Sequence, residues 1–139
     1  MNRFFIDANF IVAIFRQIEE NHDLAVKTCQ TLLEKHECYI SNAIVTEVVT
    51  IIMMRTKNID LTRKAYYFMI DNFTVINEYE IDKYNDKVFN IFEKYNDKTF
   101  KLGFVDCSIV VISQIYDIDY VVSFDKNFKL FNQIKLYKL

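Results

Sequence analysis

Residues 3–15 read RFFIDANFIVAIF, and the way this stretch divides decides the fold. RFFI (3–6) is short, aromatic and β-branched, which suits a strand. The apolar run resumes near Asn9 and continues to Arg16, long enough for two helical turns. Asp7 falls at the joint, where a short acidic side chain can cap the helix that follows. Burying an acid and an amide in such a run is costly unless each has a partner. Asp7 and Asn9 therefore need a reason beyond packing.

Working outward, four further short runs read as strands: CYIS (38–41), TVIN (74–77), YVVSF (120–124) and IKLYK (134–138). Helical patterns lie between most of them. HDLAVKTCQTLLEKH (22–36) puts Leu24, Cys29, Leu32 and Leu33 on one stripe, with Asp23 placed to cap the start and Lys35 and His36 the end. NIDLTRKAYYFMIDNF (58–73) carries a second stripe. YEIDKYNDKVFNIFEKY (79–95) carries a third, through Ile81, Tyr84, Val88, Phe89 and Phe92. NAIVTEVVTIIMMRTK (42–57) and FVDCSIVVISQIY (104–116) are β-branched enough for strands, but their length without a turn residue predicts buried helices. Strands alternating with helices predict an α/β domain, a parallel sheet covered on both faces.

With 139 residues, the chain is expected to form one domain over 1–139, able to build its core without disulfides or a structural metal. It has no proline and a single glycine, Gly103, which argues against linkers and disorder. No apolar run reaches the length of a membrane span. The first fifteen residues faintly imitate a signal peptide, but Asp7 interrupts the apolar region and no small-residue cleavage site follows. A cytoplasmic protein is expected. Cys29, Cys38 and Cys107 are odd in number and lack a C-x-x-C spacing, so buried, reduced thiols are expected. His36 and Cys38 have no second pair to complete a zinc site, and both His22 and His36 are expected at the surface. The net charge of −2 provides no overall basic footprint for nucleic acid.

Four acids share one predicted address. Asp7 follows the first strand and Asp125 follows YVVSF. Glu47 is the lone acid of 42–57, and Asp106 lies near the start of 104–116. With right-handed crossovers, whatever lies just beyond the carboxyl ends of parallel strands gathers along one edge. Crowded carboxylates cannot all stay ionised without a counter-charge. No Arg or Lys adjoins Asp7, Glu47 or Asp106 in the sequence, which leaves a divalent cation; oxygen ligation suits Mg²⁺ or Mn²⁺ over zinc. Asn9 can add a neutral oxygen or orient its neighbours by hydrogen bonding. Taken singly, each acid has a blander use. Asp7 can cap a helix, Asp125 can shape the turn SFDKNF, and Asp106 can sit on a helix dipole. Glu47, among Val and Ile in mid-helix, has no such local role.

FIDANF, Glu47 in SNAIVTEVV, GFVDCSIV and YVVSFDKNF stand in the order and spacing of a PIN-domain ribonuclease. Over essentially its whole length the chain resembles the toxin half of a VapBC toxin–antitoxin pair. Gly103 departs from the pattern, since many relatives carry Ser or Thr there. The resemblance implies a five-stranded, mainly parallel sheet between helical layers, and an endoribonuclease dependent on one or two Mg²⁺ or Mn²⁺ ions. It makes Asp7, Glu47, Asp106 and Asp125 the metal-binding catalytic acids, with Asn9 assisting. It also implies a homodimer and a small antitoxin whose tail places a basic side chain among the acids. One bound divalent ion takes the formal balance from −2 to 0 and two take it to +2, so the metal itself supplies field for phosphate.

Arg16, Lys101, Lys126 and Lys129 neighbour these motifs and are nominated as RNA contacts, against ordinary solvated surface charge. Tyr66, Tyr67, Phe68, Met69 and Phe73 carry more aromatic mass than one helix stripe hides, which fits either core packing or a partner surface. A dehalogenase-type phosphatase needs Asp at position 9, where this chain has Asn, and a phospho-receiver needs an acid pair that RFFI lacks. The remaining alternatives are a PIN-like module that binds RNA or protein without catalysis, and an RNA-processing nuclease without an antitoxin.

Overall fold

The computed structural model describes residues 1–97, 99 and 101–139. Strand β1 (Arg3–Ile6) pairs in parallel with β2 (Glu37–Ser41) on one side and β4 (Tyr120–Val122) on the other. β3 (Thr74–Ile76) pairs in parallel with β2, so the order is β3-β2-β1-β4. Among the described residues, six α-helices complete the α/β layers: α1 (Ala8–Phe15), α2 (His22–Lys35), α3 (Asn42–Thr56), α4 (Ile59–Asn72), α5 (Tyr84–Tyr95) and α6 (Phe104–Ile115). The β1 side chains Phe4, Phe5 and Ile6 are buried at the centre of the core. The strand order steps outward from β1 through β2 to β3, then returns to place β4 on the other flank of β1. This reversal makes a topological switch point between the carboxyl ends of β1 and β4, where open α/β sheets leave a crevice.

The expected fifth strand is reduced to a bridge. Leu136 pairs in parallel with Val121, supported by Val121 N–H donating to Lys135 O and Tyr137 N–H to Val121 O, both at 2.8 Å. The segment is pinned beside β4 without extending the ladder, so among the described residues four strands are observed where five were expected. Both β-branched segments are helices, as length predicts. α1 begins one residue before Asn9, with Asp7 as its cap accepting from Ala8 N–H at 2.8 Å.

Two predicted stripes are corrected. On α2 the buried residues are Ala25, Cys29 and Leu32, while Leu24 is 42% exposed. The i, i+4, i+7 spacing from Ala25 is the face that meets the core, and Asn21 precedes the helix with Asp23 inside its first turn. In 79–95 the helix starts only at Tyr84, after a 3₁₀ turn at Glu78–Glu80. Val88 is buried there and Phe89 is exposed. The three cysteines are buried free thiols, and burial pushes Cys29 and Cys107 up to about 11 and Cys38 to about 12. His22 and His36 are half-buried rather than on the open surface. The His22 ring contacts Ala13 O through Nδ1 at 2.8 Å, and Asn2 N–H donates to His36 Nδ1 at 3.2 Å. Among the described residues no helix is long and apolar enough to cross a membrane.

Helix α3, which carries Glu47, is held at its start by a residue far away in sequence. Ser41 occupies the cap position, but its buried hydroxyl has no hydrogen-bond partner among the described residues. The fully buried Glu78 takes over the capping role, its two carboxylate oxygens accepting from Asn42 N–H (3.0 Å) and Ala43 N–H (2.9 Å). Two charge-assisted bonds at the positive end of a helix make a strong anchor. Glu78→Ala leaves both donors unsatisfied, and a loss of about 2–4 kcal/mol is expected from urea unfolding. A loss under about 0.5 kcal/mol, the range of an ordinary surface change, would refute the anchor.

Candidate active site

The switch point supplies three pieces of the site directly. Asp7 follows β1, Ser123 follows β4, and Asp7 N–H donates to Val122 O at 2.9 Å, tying the two strand ends together. The buried Ser123 hydroxyl donates to Asp7 Oδ2 at 2.7 Å. It also accepts from the Asn9 side-chain amide at 3.1 Å and from Asp125 N–H at 3.0 Å. Asn9 Oδ1 in turn accepts from Phe124 N–H at 3.1 Å. The Asn9 oxygen is thus aimed at the backbone after β4, which makes Asn9 a brace for the loop that presents Asp125. Asp125 Oδ1 accepts from Asn127 N–H at 2.9 Å, the bond expected of a turn aspartate.

Asp7, Asn9, Glu47, Asp106 and Asp125 line one cleft of about 300 Å³. Its walls follow helical spacing. Asn9, Val12 and Ala13 share a face of α1, and Glu47, Ile51 and Arg55 share a face of α3 at i, i+4, i+8. Asp106, in the first turn of α6, accepts from Gly103 N–H at 3.1 Å. Gly103 has an ordinary φ of −74°; a Cβ there would lie 3.3 Å from Asp106 Oδ2, so the missing side chain leaves that carboxylate room.

Charge in the cleft is lopsided. Among the described residues, Asp7, Glu19, Glu47, Asp106 and Asp125 face a single cation, Arg55. Arg55 is itself shared with Glu19 at 3.4 Å, which also pairs with Arg16. Burial pushes the Asp7 carboxyl up to about 7; the charges of Asp106 and Glu47 add to the rise, and the bonds from Ser123 and Ala8 oppose it. Desolvation raises Glu47 too, with Asp106 contributing: the residue is exposed as a whole, but the cleft walls strip water from its carboxyl. Asp106 is raised by desolvation and then by Asp125, against the bond from Gly103. The four predicted acids are electrostatic neighbours.

Among the described residues, no three Asp, Glu, His or Cys side chains are gathered closely enough to hold one ion together. The donors nevertheless fit a hard divalent cation of the Mg²⁺ kind, which keeps several of its waters and needs only one or two direct carboxylates. Every acid in the cleft offers oxygen alone, and their mutual repulsion is the energetic gap such a cation fills.

The nominated basic residues separate. Arg16 caps the end of α1 and faces a neighbouring hollow that it shares with Arg55. Lys101 is exposed and outside the cleft lining. Lys126 and Lys129 line a second groove beyond Phe124. Sequence reasoning missed Ser123 and Arg55. Ser123 had a signal, as a small polar residue ending the buried run YVV; Arg55 had another, two turns beyond Glu47 on the same face.

The PIN domain profile matches residues 4–133, and the chain belongs to the PIN domain family, whose members are generally metal-dependent. Among solved structures, it is similar to Mycobacterium tuberculosis VapC20, a sarcin-ricin loop cleaving toxin, at TM-score 0.78 and 16% identity, covering 91% of this chain and 93% of that one. It is also similar to VapBC2 from Rickettsia felis, bound to a DNA fragment from their promoter, at TM-score 0.76 and 12% identity over 97% of both chains. FitAB bound to a DNA fragment follows at TM-score 0.59 and 13% identity, covering 96% and 93%. At these identities the likeness is one of fold. No curated protein matches the sequence.

Proposed function

We propose that the protein is a Mg²⁺- or Mn²⁺-dependent endoribonuclease and the toxin component of a toxin–antitoxin pair. The observation that carries this reading is the arrival of Asp7, Glu47, Asp106 and Asp125, from four separate elements, in one cleft at the switch point. Membership of the PIN family supports the chemistry, and the resemblance to a toxin that cleaves the sarcin-ricin loop supports the substrate class.

In this mechanism the chain provides a pre-shaped anionic cradle. Asp7 is held in one orientation by Ser123 and Ala8. Asn9 fixes the Phe124 backbone and thereby the approach of Asp125, while Glu78 anchors the helix that presents Glu47. When bound, a divalent ion supplies Lewis-acid stabilisation of phosphate charge and lowers the pKa of water. Arg55, the one cation lining the cleft among the described residues, faces the same space and suits an RNA phosphate.

The neighbours named VapBC2 and FitAB are two-component assemblies, which supports an antitoxin partner here, with a basic side chain entering the acid cleft. Met54, Ile59, Tyr66 and Tyr67 are exposed on α3 and α4 and supply apolar area for a homodimer; a monomer by light scattering at micromolar concentration would remove the dimer. The functional test is RNA cleavage by purified protein with Mg²⁺, with Mn²⁺ and with chelator, beside Asp106→Asn. Fragments that appear only with metal and only with Asp106 intact are expected. Cleavage indifferent to chelator would overturn the reading.

A further inference from the structure

Helix α6 presents Asp106, but its cap position is taken by Gly103, which has no side chain to accept from the first-turn N–H groups. The backbone of Gly103 is instead a donor: its N–H holds Asp106 Oδ2 at 3.1 Å. The direction of that carboxylate therefore follows the position of Gly103. What fixes Gly103 lies outside the cleft, just past the end of α5. The half-buried Asn96 accepts from Leu102 N–H through Oδ1 at 2.7 Å, and donates through Nδ2 to Leu102 O at 3.1 Å and to Phe92 O at 2.9 Å. One side chain thus holds both backbone groups of Leu102, and the buried Leu102 side chain seats the same residue in the core. A donor on one side and two carbonyls on the other admit a single orientation of the amide.

We propose that Asn96 is a positioning residue for Asp106: by clasping Leu102 it fixes the entry of the chain into α6 and, through Gly103, aims the Asp106 carboxylate. The proposal rests on the nuclease reading and adds to it a residue outside the cleft lining that sets the geometry of one of its acids. Each link is short. Asn96 holds Leu102 by two hydrogen bonds, Leu102 is bonded to Gly103 through the chain, and Gly103 donates to Asp106. Among the described residues, no other side-chain hydrogen bond ties the backbone of 102 and 103 to a different helix. A displacement of about 1 Å at a reacting centre can cost about a hundredfold in rate. Groups that orient a metal ligand without touching the metal affect affinity or activity about ten- to a hundredfold. Asn72 offers an internal contrast. Its Nδ2 donates to Phe68 O at 2.9 Å at the end of α4, the same helix-end bond that Asn96 makes to Phe92 O. Among the described residues, however, Asn72 clasps no second segment.

The test is amide NMR of the purified protein, in which Gly103, the only glycine of the chain, reports on its bond to Asp106 through a single glycine signal. Asn96→Ala is expected to speed hydrogen exchange at the Leu102 and Gly103 amides about tenfold or more in EDTA. It should also raise the Mg²⁺ concentration that half-shifts the Gly103 signal by about tenfold. In RNA cleavage kcat should fall about tenfold or more with KM unchanged. Asn96→Asp, isosteric but unable to donate to the two carbonyls, should behave as Asn96→Ala does. Asn72→Ala should match the wild type in every readout. Asn96→Ala with wild-type exchange and Mg²⁺ response overturns the proposal, and so does an equal loss in Asn72→Ala. Should the Asn96 variants not fold, the wild type decides: protection of the Leu102 amide upholds the clasp, and exchange as fast as in an unstructured peptide overturns it. If the wild type neither cleaves RNA nor responds to Mg²⁺, yet Asn96→Ala frees the Gly103 amide, the nuclease reading fails and the positioning stands. Wild-type cleavage that Asn96→Ala leaves intact, with exchange unaltered, removes the positioning alone.

Discussion

Asp7→Asn is expected to reduce metal-dependent RNA cleavage on the order of a thousandfold and, at the same time, to make the metal-free protein more stable at pH 8. The first effect follows from removing the most buried carboxylate of the cleft. The second follows from linkage. The Asp7 carboxyl is pushed up to about 7 in the folded protein from its ordinary value of 3.8. Between about pH 4 and pH 7 the unfolded chain has released this proton while the folded protein keeps it. Stability of the metal-free protein therefore falls as pH rises through that window and levels off above it. The difference corresponds to roughly 4 kcal/mol. Asn is nearly isosteric and cannot ionise; its oxygen can keep the Ala8 bond, its amide can face the open cleft, and the Ser123 hydroxyl, whose acceptor sites Asn9 and Asp125 already occupy, can turn its proton to Asn9 Oδ1 at 3.3 Å. Asp7→Asn should thus match the wild type near pH 4 and exceed it by about 2–4 kcal/mol at pH 8, measured by urea unfolding in EDTA. A variant less stable than wild type at pH 8 would mean that Asp7 is mainly structural.

The second large effect is the reverse side of the same repulsion. Mn²⁺ at a hundred times its dissociation constant should stabilise the wild type at pH 8 by about 2.7 kcal/mol. At pH 5 protons compete for Asp7, only about 1% of which is ionised two units below its pKa. Apparent affinity then drops about a hundredfold, and the same Mn²⁺ concentration should add only about 0.4 kcal/mol. Asp7→Asn and Asp106→Asn should flatten the response at both pH values. Equal stabilisation at pH 5 and pH 8 would place the ion elsewhere. The contrast between the two experiments is informative: one removes the charge and the other neutralises it, and both should relieve the folded protein.

Much of this architecture was legible because its signals are local. RFFI against the longer run after it located β1 and α1, and the lengths of 42–57 and 104–116 overruled their β-branched composition. The address of the acids followed from topology alone, since three of the four lie near strand or helix beginnings and ends that any parallel α/β sheet brings to one edge. What stayed hidden depended on tertiary partners. Leu24 and Phe89 sit on plausible stripes, but periodicity does not say which neighbouring face of a helix meets another element. IKLYK has strand composition yet forms only the Val121–Leu136 bridge, because pairing is decided by the partner. Glu78 carries no local signal of its role, since its capping of α3 spans more than thirty positions of sequence. The sequence shows that Asn9, within an apolar run, needs a polar partner, but only geometry shows its oxygen turned toward the Phe124 amide.

The identity of the cleft as a cation site is tested most directly by anomalous diffraction from crystals soaked in Mn²⁺ near pH 8. The account predicts one strong peak inside the cleft, within about 2.0–2.3 Å of an Asp7 carboxylate oxygen, with Asp106, Glu47 or Asp125 reaching it directly or through water. A cleft without a peak while Mn²⁺ occupies another surface, or a peak that persists unchanged in Asp7→Asn, would contradict it.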